Sequence, residues 1–131
     1  MYLLDTNTCI HFLNGTSPAI RDRMQGMAPT EIVVCSMVKA ELLFGAHRSK
    51  RVDANLQKLQ RFFSPLLSLP FDDHCISHYA MIRADLAAQG KPIGPNDLVI
   101  AATARANGAT LITHNTAEFS RVVGLQMADW E

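Results

Sequence analysis

Residues 91–115 read KPIGPNDLVIAATARANGATLITHN. Gly94-Pro95 marks a helix start, because proline at a first helical position gives up only an N–H that has no partner there. From Leu98 to Ala106 nearly every side chain is apolar or small. A helix that is apolar on all sides is a buried one. Gly108 stops it, and ATLITHN at 109–115 continues as a short apolar strand. An apolar helix feeding an apolar strand is the unit of a sheet covered on both faces, where strands need not alternate polar with apolar.

The same alternation runs through the chain. YLLD at 2–5 is a short strand, followed by a helix over 6–14 that stops at Asn14-Gly15. Ser17-Pro18 supplies an N-cap and a first helical position for a helix to about Gly26. EIVVCS at 31–36 is a second strand, and Ser36 is placed to cap the helix MVKAELLFGAHRS. Val52, Leu56, Leu59, Phe62 and Phe63 repeat at a helical period over 51–63. LLSLP at 66–70 is a third strand, and 72–89 is a long helix stopped by Gly90. A short helix around Ala117–Val122 and an extended piece near Leu125–Met127 close the chain. Strands alternating with helices predict an α/β fold, helices packed on both faces of a central parallel sheet, in one domain over 1–131.

The chain has 131 residues, 48% of them hydrophobic and 18% charged, so it is neither disordered in composition nor long enough for two cores. No apolar run reaches the length of a membrane span, and the N-terminus has no basic segment ahead of a long apolar stretch. A cytoplasmic location is expected. The three cysteines, Cys9, Cys35 and Cys75, are odd in number and widely spaced, which argues against a disulfide framework. His74, Cys75 and His78 invite a zinc site, but no second ligand pair stands at zinc-finger spacing. The formal net charge is zero. Proteins that simply coat nucleic acid are basic, so a nucleic-acid enzyme with this composition needs another source of positive charge.

Three acidic residues have surroundings unlike those of ordinary surface charge. Asp5 ends an apolar strand, Glu41 sits in KAELLFG after the second strand, and Asp97 opens the apolar helix. Each has a plainer role open to it: Asp5 as a helix cap, Glu41 as a solvated helical residue, Asp97 as a partner of the helix dipole. Together with Asn115 they stand at strand ends, or in early turns of helices that follow strand ends. In a parallel sheet that is where ligands bind. Carboxylates sharing a cleft resist ionisation unless a cation joins them, and oxygen ligands suit Mg²⁺ or Mn²⁺.

LLDTN at the start, AELLFGA around Glu41, GKPIGPNDLVIAATA around Asp97 and LITHNTAEF near the end resemble the PIN-domain ribonucleases, most closely the VapC toxins of bacterial VapBC toxin–antitoxin pairs. The likeness covers essentially the whole chain. It implies a PIN-like three-layer α/β/α sandwich with a central parallel sheet. It places Asp5, Glu41 and Asp97 on the family's catalytic and metal-binding positions. The fourth position, often Asp, is Asn115 here, able to offer an oxygen directly or through a water but no charge. Glu118 is a candidate outer ligand in its place, and Thr6 and Thr113 match the hydroxyl positions beside the site. The implied cofactor is Mg²⁺, with Mn²⁺ as a substitute. The implied reaction is hydrolysis of RNA, with tRNA, and within it the initiator tRNA anticodon stem-loop, as the nearest substrate. A VapB-type antitoxin and a second copy of the chain are the implied partners.

Other readings stay open on the residues. A haloacid-dehalogenase-like phosphatase wants a second Asp two residues after the first, where Asn7 stands. A PIN-like module that binds RNA or a partner without cutting would tolerate Asn115. A metal-independent ribonuclease would need a histidine pair from among His11, His47 and His114. Arg21, Arg23, Arg48, Lys50 and Arg51 are candidates for phosphate contacts, with solvated helix faces as the plainer role. Phe12, Phe44 and Tyr79 could stack on free bases, though core packing is the expectation for all three.

Overall fold

The computed structural model describes residues 1–131 and contains five strands and seven α-helices. In chain order these are β1 (Tyr2–Leu4), α1 (Thr6–Asn14), α2 (Pro18–Gln25), β2 (Ile32–Cys35), α3 (Ser36–His47), α4 (Val52–Phe63), β3 (Leu67–Leu69), α5 (Asp73–Ala88), α6 (Pro95–Ala106), β4 (Thr110–Ile112), α7 (Thr116–Phe119) and β5 (Met127–Ala128). The sheet order is β3-β2-β1-β4-β5, and every pairing is parallel. The expected sandwich with a central parallel sheet is the observed fold.

The connections explain the layers. From β1 the chain moves outward to β2 and β3 through α1 to α4, then returns to β4 through α5 and α6. Right-handed crossovers put the outward and the returning helices on opposite faces. The direction reverses between β1 and β4, which opens a crevice at their carboxyl ends. β1 is locked to β4 by Leu3↔Leu111 and Leu4↔Ile112, so the residues after each strand, Asp5 and Thr113, emerge side by side.

The three central strands carry the buried core: Leu3, Leu4, Val33, Val34, Cys35, Leu111 and Ile112 are at most 1% exposed, while Leu67 on the edge strand β3 is exposed. The membership of α6 follows from its composition. Ala101, Ala102 and Ala104 are fully buried, and such short side chains let the helix lie close to the sheet and to α5. Gly15 and Gly108 take left-handed φ of 66° and 64°, and so end α1 and α6 where the sequence puts their stops. His74, Cys75 and His78 pin the helices of this face. Arg105 Nε donates to His78 Nδ1 at 2.9 Å, His74 Nε2 lies 3.0 Å from the Ala106 carbonyl, and Asn107 Nδ2 reaches Cys75 Sγ at 3.9 Å.

Several boundaries differ from expectation. Ser36 is not the cap of α3: Cys35 occupies that position and Ser36 is already helical, its hydroxyl donating to the Leu69 carbonyl across β2 and β3 at 3.5 Å. Glu31 is not in β2. It closes a 3₁₀ turn, Pro29–Glu31, by accepting from the Ala28 N–H at 3.0 Å. The strand expected over 109–115 keeps only Thr110–Ile112, because Thr113 turns the chain, its hydroxyl accepting from the Asn115 N–H at 3.0 Å. α7 starts at Thr116 and is shorter than expected.

The close approach of α6 makes a direct prediction. Ala102→Leu has no space to fill and is expected to cost about 1–3 kcal/mol of stability, read as a lower urea midpoint at unchanged slope.

Candidate active site

Each acidic residue reaches the crevice by a different local device. Asp5 follows β1 directly. Its N–H donates to the Ile112 carbonyl at 3.0 Å, continuing the β1–β4 ladder. Its Oδ1 accepts from the Thr8 N–H at 2.8 Å and caps α1. The plain role and the site role coincide in one side chain, which is 7% exposed. Thr8 joins this anchor through its own hydroxyl, which donates to the Ile112 carbonyl at 3.2 Å.

Glu41 lies five residues into α3 and is held from two other helices. Thr6 Oγ1 donates to its Oε1 at 2.6 Å, and Asn96 Nδ2 donates to its Oε2 at 3.3 Å. Thr6 therefore stands where the resemblance placed it, beside a carboxylate. Asn96 was missed. The residue before Asp97 in PND carries the signal, but only α6 brought against α3 gives it a partner.

Asp97 occupies the third position of α6, where the helix dipole favours a negative charge. Glu118, in α7, faces it. Glu118 Oε1 accepts from the Gly94 N–H at 3.0 Å, and Oε2 accepts from Asn115 Nδ2. A Cβ at Gly94 would lie 3.6 Å from Asp97 Oδ2 and 3.9 Å from Glu118 Oε1, so Gly94 sits between the two carboxylates. Asn115 is exposed and spends its amide donor on Glu118. Thr113 is fully buried and shapes the turn into Asn115, with no bond to a carboxylate.

The electrostatics single out Asp97. Burial, reinforced by Glu118, Glu41 and Asp5, pushes its carboxyl up to about 6. The four carboxylates thus act on one another while standing around the crevice: no three of them bring oxygens within 4.8 Å of one another. The donor set is wholly oxygen, with no thiolate or imidazole among the residues that meet Asp97. Such a set fits a hard divalent cation, whose charge relieves the repulsion that raises Asp97.

Comparisons with known proteins identify the family. The PIN domain family matches residues 2–125. The "tRNA(fMet)-specific endonuclease VapC" of Shigella flexneri is 37% identical over 129 residues, 98% of this chain and 97% of that protein.

The chain belongs to the PIN-domain family, among the VapC ribonucleases.

Two solved structures share the fold closely. VapBC2 from Rickettsia felis, bound to a DNA fragment from its promoter, superposes with a TM-score of 0.92 at 36% identity, covering 99% of this chain and 98% of that one. The DNA-bound VapBC from Salmonella typhimurium gives the same score, identity and coverage. Divalent-metal dependence belongs to the PIN-domain family as a whole, and the oxygen-only crevice accords with it. No helix is long and apolar enough to cross a membrane.

Other candidates are placed elsewhere. Phe12 and Tyr79 pack against the core as expected, but Phe44 does not: it is 62% exposed. His11 and His114 meet at the C-terminal rim, not as an acid–base pair in the crevice. His114 Nδ1 lies 2.9 Å from Asp129 Oδ2 and 3.3 Å from Glu131 Oε2, while His11 Nε2 lies 3.8 Å from Glu131 Oε1. Arg21 pairs with its neighbour Asp22 on exposed α2.

The raised Asp97 makes stability depend on pH in a definite direction. Folded, its carboxyl titrates near 6; unfolded, it returns to about 3.8. Between these values the folded chain binds more protons, so the contribution of Asp97 to stability falls as pH rises through the window. Removing that charge by Asp97→Asn is therefore expected to stabilise the metal-free chain at pH 7 by about 1–2 kcal/mol, after discounting for the partial exposure of the group. The gain should vanish at pH 4. Chemical unfolding in EDTA at both values checks it, and equal midpoints for the two proteins at pH 7 would contradict it.

Proposed function

We propose that this chain is the toxin of a VapBC-type pair, a Mg²⁺-dependent endoribonuclease that cuts tRNA. The observation that carries the proposal is the gathering of Asp5, Glu41 and Asp97, with Glu118, at the β1–β4 crevice of a VapC-family fold. Asp5, Asp97 and Glu41 would hold the ion, with Asn115 contributing at most through a water. When bound, a divalent ion there neutralises phosphate charge and makes a water acidic enough to attack. The chain's own residues do the rest. Thr6 and Asn96 fix the Glu41 carboxylate, the Thr8 N–H fixes that of Asp5, and Gly94 and Asn115 fix that of Glu118. Attack by water with cleavage of the P–O3′ bond, the 3′-oxygen leaving as a hydroxyl, gives a 5′-phosphate and a 3′-hydroxyl and no cyclic phosphate.

Glu118 bears on the rival reading of a binding module without activity. Loss of an acid at position 115 does not empty the fourth corner of the site, because Glu118 supplies a carboxylate there, bonded to Asn115 itself. The tRNA assignment rests on the relative from Shigella flexneri, whose name gives initiator tRNA as its substrate. A VapB-type antitoxin as partner rests on the VapBC structures that share the fold, and the crowded carboxylates are a natural seat for an arginine from such a partner. A homodimer finds support in an apolar groove lined by Tyr79, Leu86, Ile93 and Leu98, with Ile76 and Met81 of α5 exposed. With tRNA as the substrate, the proposed place of action is the cytoplasm.

The test is cleavage of total bacterial tRNA by the purified chain, free of antitoxin. Discrete cuts with 5′-phosphate ends are expected in Mg²⁺, lost in EDTA and reduced at least about 100-fold in Asp5→Asn, the order of effect of losing a group that stabilises transition-state charge. Cuts that persist in EDTA and leave cyclic phosphates would replace this reading with histidine chemistry. A second variant examines the fourth corner. Asn115→Asp should tighten Mn²⁺ binding by calorimetry, and an unchanged affinity would place residue 115 outside the metal shell.

A further inference from the structure

α3 carries a stripe that the acidic cluster does not use. Glu41, Phe44 and Arg48 stand at i, i+3 and i+7 and so share one helix face. Phe44 and Arg48 lie about 4.5 Å and about 10.5 Å beyond Glu41 along the axis. At 62% exposure, Phe44 is the one aromatic among the chain's exposed large apolar side chains. The Arg48 guanidinium lies 5.6 Å from its ring centroid and enters none of the chain's ion pairs.

Gly45 points the same way. A glycine in mid-helix is costly in backbone entropy, yet nothing crowds this one: a Cβ there would meet no atom within 4 Å. What its bareness provides is an open groove beside Glu41, lined also by Ile10, Asn14, Asn55 and Lys58. Lys58 puts a cation in that groove, and Arg48 stands outside its lining at the C-cap of α3.

We propose that Phe44 and Arg48 form a nucleotide-binding subsite, in which an unpaired base next to the scissile phosphate stacks on the Phe44 ring and Arg48 meets its phosphate. The proposal rests on the ribonuclease reading above and says how the substrate is held. Stacking draws on the π-face of the base rather than on net charge, which suits a chain with no excess of cations and a crevice that repels phosphate. An exposed ring one turn from a metal-site carboxylate lies on the course of any strand whose phosphate reaches that site. Stacking also requires an unpaired base, so the subsite selects loops over duplex.

The experiment uses the full chain carrying Asp97→Asn, so that bound RNA stays whole, and a synthetic anticodon-type hairpin with a fluorescent adenine analogue at one loop position at a time. Binding is expected to quench one position. Phe44→Ala should weaken the hairpin by about 5- to 150-fold, the range that base stacking on an aromatic commands, and abolish that quench. Phe44→Trp should restore both. Phe44→Leu, which keeps apolar area without a ring face, should not. Because Phe44 is exposed, the thermal unfolding of all three variants should match the parent. Equal RNA affinity for the Phe44→Leu variant and the parent would overturn the subsite. So would unchanged RNA binding by Phe44→Ala together with weaker capture of a VapB-type antitoxin, which would make the surface a protein contact. In the chain that keeps Asp97, tRNA cleavage that Phe44→Ala leaves unchanged would keep the ribonuclease reading intact and remove the subsite. Parent chain that neither cuts tRNA nor binds the hairpin would remove both.

Discussion

Like charges do not gather without restraint, and the crevice of this chain holds four carboxylates. Three of them are held by donors. Asp5 is fixed by the Thr8 N–H, Glu41 by Thr6 and Asn96, and Glu118 by the Gly94 N–H and Asn115. Asp97 accepts no such bond from the protein, and its carboxyl is pushed up to about 6. Burial is the first cause of that rise, and repulsion from Glu118, Glu41 and Asp5 adds to it. A divalent cation among these carboxylates would offset the repulsive part.

The sheet makes this restraint possible. Reversal of the strand order between β1 and β4 leaves room above their ends, and their register sends Asp5 and Thr113 out together. The Asp5 N–H still bonds to the Ile112 carbonyl, so the carboxylate belongs to the sheet as much as to α1. On the returning face, the small side chains of α6 let it settle deeply enough for Asn96 to reach Glu41 of α3. A bulkier α6 would lift Asp97 and Asn96 away from the outward helices. Core packing and site geometry are one requirement here.

The sequence disclosed most where one local rule decides. Proline at a helix start, glycine at a helix stop and unbroken apolar strands located the five strands and seven helices to within a few residues. Errors fell where a side chain bonds to a backbone group that its type alone does not name. Ser36 looks like a cap by type, but the carbonyl of Leu69 claims its hydroxyl. Glu31 looks like the first residue of a strand, but the Ala28 N–H makes it the close of a turn. Asp5, Glu41 and Asp97 were legible because their neighbours are wrong for surface charge. Asn96 and the bond between Asn115 and Glu118 were not, since no pattern in one dimension says that α6 meets α3 or that α7 folds back over Gly94. Phe44 was misjudged for a related reason. Its type argues for the core, while its place on α3, one turn past a carboxylate of the crevice, leaves it open.

Net neutrality then follows from how the chain divides its work. Twelve basic and twelve acidic residues provide no long-range field to draw in RNA. A strongly basic surface would pull on every phosphate and hold tRNA loosely in many poses. The subsite proposed at Phe44 and Arg48 suits such a chain, because stacking on the π-face of a base would give local recognition without an excess of cations over the whole surface.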